Sequence, residues 1–223
     1  MITTPDLINS LAEDAAPVRR LRPPLTRAAW WLLLAAFVLA LLATSHGARP
    51  DLFQRLQQPA FALGVMSSLV TGILAAIASF QVSLPDRSRL WLLLPSPALV
   101  LWLSTIGYGC LTDWVSIGPS GVRLGETARC FATLVLTGFP LSLAMLLMLR
   151  HAAALRPIAV TVAGSLAVAA ITATALSLFH NLDATVLVLI WNIGTAVLIV
   201  GLGGMLGRRM FPWVAPRSLP RQS

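Results

Sequence analysis

Two cysteines and a histidine are the side chains of this sequence best suited to chemistry. Cys110 and Cys130 sit at the two edges of the stretch GYGCLTDWVSIGPSGVRLGETARC, and His180 lies further along. If the chain between the cysteines folds back, their sulfurs could join and close a loop of about twenty residues, stabilising by roughly 3 kcal/mol on the chain-entropy account. That bond needs the two Cα atoms within about 7 Å. Two thiols and an imidazole also suit a soft metal ion held transiently. A third reading makes both cysteines small buried hydrophobes at the ends of apolar segments. Catalytic constellations are missing. His46, His151 and His180 are far apart, and there is no HExxH, GxSxG or paired-carboxylate motif. The sequence predicts neither an enzyme nor a cofactor.

A second candidate surface lies in LINSLAEDAAPVRRLRPP, residues Leu7 to Pro24. Thr4 suits an N-cap, Pro5 the first helical position, and Asp6 the positive end of the helix dipole. Leu7, Ile8, Leu11 and Ala15 then form one helical stripe, with Asn9, Ser10, Glu13 and Asp14 opposite. Pro17 ends the pattern at about Ala16. A helix this short is marginal alone in water and needs a surface for its stripe. Membrane-surface helices normally carry a basic polar face, and this one is acidic. The stripe could lie on the bilayer or the protein's own loops, or dock in a groove of a cytoplasmic partner.

The surrounding chain explains what must position these groups. Of 223 residues 57% are hydrophobic and only 11% charged, with a mean hydropathy of +0.82. A soluble domain carries about a quarter charged residues, so the chain reads as an all-α polytopic membrane protein. Six apolar runs are long enough to cross a bilayer: Ala28–Ala43, Ala60–Phe80, Leu90–Tyr108, Phe131–Leu149, Pro157–Phe179 and Thr185–Leu206. Each must be helical to satisfy its own backbone in lipid. The first follows a leader too long and too charged for a cleavable signal peptide. The predicted units are therefore a leader over 1–27, a six-helix domain over 28–207 and a tail over 208–223.

All sixteen cations are arginine. With six spans, twelve fall on one side of the bilayer and four on the other, so the positive-inside rule puts both termini in the cytoplasm. The leader is then cytoplasmic, while Cys110, Cys130 and His180 face outward, where a disulfide can persist. The +8 net charge thus reads as topology and gives no ground for direct nucleic-acid binding. No span carries a charge near its middle, which argues against an ion or proton pathway. Asn192 in the last span could make a helix–helix hydrogen bond or belong to a binding site. Gly203 and Gly207 have close-packing spacing, and Pro95, Pro97 and Pro140 predict kinks.

The leader DLINSLAEDAAPVRRLRPP, the stretch GCLTDW and the closing GRRMFPW together resemble the NrsF-type negative regulators of sigma F, integral-membrane anti-sigma factors of proteobacteria. The likeness extends over essentially the whole chain. It implies an inner-membrane protein that holds an extracytoplasmic-function sigma factor inactive and releases it on an outer signal. In the family that signal is tied to heavy-metal or oxidative stress and outward cysteines. The leader residues Asp6, Leu7, Ile8, Leu11, Glu13 and Asp14 would then contact the sigma factor, and Cys110, Cys130 and His180 would sense. The family pattern carries a cysteine directly after the outward histidine, where this chain has Asn181, and a histidine after the later tryptophan, where it has Asn192. A small membrane transporter or channel is the alternative function.

Overall fold

The computed structural model describes residues 3–13, 22–47, 51–113, 124–149 and 156–179. Among these residues every regular element is helical and there is no strand, as the sequence predicts. The helices are α1 (Thr4–Glu13), α2 (Pro24–His46), α3 (Leu52–Leu56), α4 (Pro59–Val82), α5 (Ser96–Asp113), α6 (Leu124–Leu149) and α7 (Pro157–Phe179), with a 3₁₀ turn over Arg89–Leu93 before α5. Among the described residues four segments are long and apolar enough to cross a membrane: Pro24–Ser45, Pro59–Val82, Arg89–Gly107 and Pro157–Phe179. In α6 the apolar stretch is the shorter Val135–Leu149. The expected sixth span and the tail lie outside the described residues.

Several boundaries move. Proline at the first helical positions starts α2 at Pro24 and α4 at Pro59, because its missing N–H costs nothing there. The first span is thus longer than Ala28–Ala43 and takes in Arg27. The third span breaks where Pro95 and Pro97 interrupt the backbone ladder, leaving a 3₁₀ turn and then α5. Helix α5 runs on to Asp113 and α6 begins at Leu124. The long loop expected from Gly109 to Cys130 therefore shrinks, and both cysteines stand on helices. The small α3, with its Arg55–Asp51 ion pair at 3.4 Å, is too short to leave a periodic signal in sequence.

The bundle is built around α4 and α7, which pack together more extensively than any other pair. Their facing sides are small: Ser68, Gly72, Ala75 and Ser79 on α4 meet Ala163, Ala167, Ala170 and Thr174 on α7, all buried. In lipid, where apolar packing partners are everywhere, small residues are what let two backbones approach. The Ser68 and Thr174 hydroxyls bond each other at 2.9 Å, and Ser79 Oγ donates to the Val160 carbonyl at 3.1 Å. These pairs set an antiparallel register. Helix α5 leans on α4, α6 on α7, and α2 on both α4 and α6.

The closest approach is at Gly72. A Cβ added there would stand 2.8 Å from Ile171 Cδ1 and 3.3 Å from the Ile171 backbone nitrogen. We expect Gly72→Ala to destabilise the detergent-solubilised protein by about 1–3 kcal/mol, the usual cost of overpacking. Thermal unfolding measures it, and Ile171→Val in the same chain should restore part of the loss. An unchanged midpoint in Gly72→Ala would contradict the close seam.

Candidate functional site

The leader forms a helix as its pattern predicts, with one shift at the start. Thr3, not Thr4, takes the capping role. The Asp6 carboxylate accepts a hydrogen bond from the Thr3 hydroxyl and another from the Thr3 backbone N–H at 3.2 Å. An acid three residues past the cap, reaching back to its N–H, is one half of a capping box. These bonds, the hydroxyl first and the backbone second, hold the Asp6 carboxyl below its ordinary range. Asp6, Ile8 and Glu13 are exposed, Ile8 by 60%. Helix α1 is not among the helices that pack extensively on one another in the described residues. The side chains of Leu7 and Leu11, and the whole of Asp14, lie outside the described residues.

The candidates Cys110, Cys130 and His180 are placed only in part. Cys110 lies in the last turn of α5, and Cys130 is two turns into α6. Their side chains, and all of His180, lie outside the described residues, and α5 and α6 share no extensive contact within them. No group of three or more metal-ligating side chains comes together among the described residues.

The structure assembles a site the sequence did not mark. The start of α2, the end of α4, the end of α6 and the start of α7 gather at one end of the bundle. Arg27, in the first turn of α2, is only 7% exposed. Its guanidinium stands 5.2 Å from the centre of the Phe80 ring and donates to the Met148 carbonyl, while Nη1 is buried without a partner. A desolvated cation over an aromatic face contributes about 2 kcal/mol. One turn deeper, the fully buried Trp31 donates Nε1–H to the Leu141 carbonyl at 3.1 Å. Arg27 and Trp31 are four residues apart and so share a face. Together they lock α2, the helix that follows the leader, onto α4 and α6.

A second clip lies at the same end. Arg156, just before α7, donates to the Arg87 and Pro85 carbonyls at 2.8 and 3.0 Å. Arg22, Arg27, Arg87, Arg89 and Arg156 thus cluster at one end of the described bundle. Asp86, paired with Arg87 at 3.8 Å, is the acid among them. Sequence counting assigned Arg27 to the flanking charges that orient a span. The signal that could have corrected this is that Arg27 heads the stripe of Trp31, Ala35 and Leu42, all buried. A helix apolar on every side conceals that stripe until packing selects it.

Compared with known families, residues 11–213 match the model of NrsF, negative regulator of sigma F. No curated protein and no solved structure matches the chain. The match spans most of the sequence, and the chain belongs to this family.

The Asp6 cap has a definite pH dependence. Its carboxyl is depressed from 3.8, so the cap is complete above that value and is lost as pH falls below it through the lowered folded value. We expect the Thr3 amide resonance to move only in this acid range, and Asp6→Asn to abolish the movement. A Thr3 amide that responds to pH identically in both proteins would contradict the cap.

Proposed function

We propose that this member of the negative regulators of sigma F is an inner-membrane anti-sigma factor without catalysis, crossing the bilayer six times with both termini in the cytoplasm. Family membership carries the reading, since it already implies negative regulation of a sigma factor. The gathering of five arginines at one end of the bundle supports placing that end in the cytoplasm. Residues 1–27 are then a cytoplasmic leader and 208–223 a cytoplasmic tail. The capped leader helix offers Leu7, Ile8 and Leu11 to a groove on an extracytoplasmic-function sigma factor, and Asp6, Glu13 and Asp14 to its cations. The protein makes no direct contact with nucleic acid on this reading.

Helix α6 suits transmission. It carries Cys130 near its start and, near its end, the Met148 carbonyl that accepts from Arg27. At 1.5 Å per residue these points are about 27 Å apart. A metal ion or oxidant acting on the outward thiols, Cys130 with Cys110 or with His180, would shift α6 by the small steps that packed helices allow. Arg27 would carry that shift to α2 and the leader. The signal must favour one of the two arrangements to act as a switch.

Two substitutions test the reading in source cells. Leu11→Asp should raise transcripts of the sigma factor's targets at normal membrane levels of the protein. Unchanged transcripts would remove the leader from the mechanism. Cys130→Ser should blunt induction by metal or oxidant, and full inducibility would end the sensing role of that thiol.

A further inference from the structure

Helix α5 and helix α7 both lean on α4, yet they share no extensive contact with each other among the described residues. Between the 3₁₀ turn that precedes α5 and the first turns of α7, at the arginine-bearing end, a groove of about 580 Å³ is left open. Its mouth is formed by Arg89 from the 3₁₀ turn and Arg156 from the start of α7, and its walls by Leu92, Ile158, Val162 and Leu166. Arginine is the cation whose planar fork matches phosphate oxygens. Among the described residues Arg89 is exposed and makes no hydrogen bond or ion pair. Arg156 spends two N–H groups on the Pro85 and Arg87 carbonyls, which fix its position without neutralising it. No acid lines the groove.

Below the mouth the walls are apolar and exposed: Ile158 by 72% and Val162 by 49%. Ile158, Val162 and Leu166 follow at four-residue spacing along one face of α7. From Pro157 to Leu166 the helix rises about 13 Å. That is close to the hydrocarbon depth of one leaflet, about 15 Å. A charged mouth over an apolar trough of one-leaflet depth fits a single amphiphile with an anionic head.

We propose that this groove holds an anionic phospholipid, its phosphate between Arg89 and Arg156 and an acyl chain along Ile158, Val162 and Leu166. The lipid fills the gap between the 3₁₀ turn and the first turns of α7. It requires that the bundle be embedded in a bilayer, and it does not depend on the identity of the cytoplasmic partner. Basic pockets between spans on the cytoplasmic side are the recurrent setting for such headgroups.

The test is native mass spectrometry of the full-length protein after stepwise delipidation, with added phosphatidylglycerol or phosphatidylcholine of the same chains. The wild type should retain one phosphatidylglycerol under conditions that strip phosphatidylcholine. Arg89→Gln should weaken it about fivefold, as expected for one arginine at a headgroup. Val162→Trp should displace it with an unchanged unfolding midpoint. Arg22→Gln, at the same end but outside the groove, should have no effect. Equal retention of both lipids, or no adduct at all, overturns the proposal. So does an Arg89→Gln protein that binds like the wild type, or an Arg22→Gln protein weakened as much. Displacement by inorganic phosphate alone, with Val162→Trp binding normally, would reassign the arginines to a free anion.

Discussion

Everything in the bundle is positioned by how closely α4 and α7 approach. Their seam works because bulk is missing from it: Gly72 lies under Ile171, and Gly164 faces Ser79 and Met145. The hydroxyls of Ser68, Thr174 and Ser79 satisfy themselves across or along the helices, so these three do not oppose burial. With α4 and α7 fixed, α2 and α6 have one side to occupy and α5 another. The groove between the 3₁₀ turn and α7 follows from the same arrangement, since each is tied to α4.

The arginine-bearing end is where this packing meets the leader. Arg27 is fastened to α4 through Phe80 and to α6 through Met148, so the helix following the leader cannot shift without disturbing two neighbours. Its partners are an aromatic face and a backbone carbonyl, with no carboxylate among them. Arg156 fastens the turn after α4 to α7 in the same manner, through backbone carbonyls.

Much of this fold was legible in the sequence because lipid leaves few choices. The fifth expected span coincides with α7 at both ends, since Pro157 starts it and an unbroken apolar run follows. The end of α5 was missed because the apolar run ends at Tyr108, whereas the helix continues to Asp113 past the end of that run. The cap of α1 was misplaced by one residue. Thr3 and Thr4 are equal candidates by type, and the choice falls to Asp6, which stands three residues after Thr3. Arg27 was misread for a deeper reason: its type and position fit a flanking charge equally well, and only the packing of α2 against α4 and α6 buries it. The two thiols were legible as residues, but their mutual geometry belongs to tertiary structure that spacing does not encode.

The account joins a regulator family, a bundle with one arginine-rich end, and an acidic-backed helix preceding the first span. Its central claim is that this helix is the contact through which a sigma factor is held at the membrane. The most direct measurement is co-purification from detergent-solubilised source cells, comparing the full-length protein with a form lacking residues 2–16, with mass spectrometry of what accompanies each. The account predicts a sigma factor with the full-length protein and none with the shortened form. A sigma factor retained equally by both would move the contact away from the leader, and none with either would contradict sequestration by this chain.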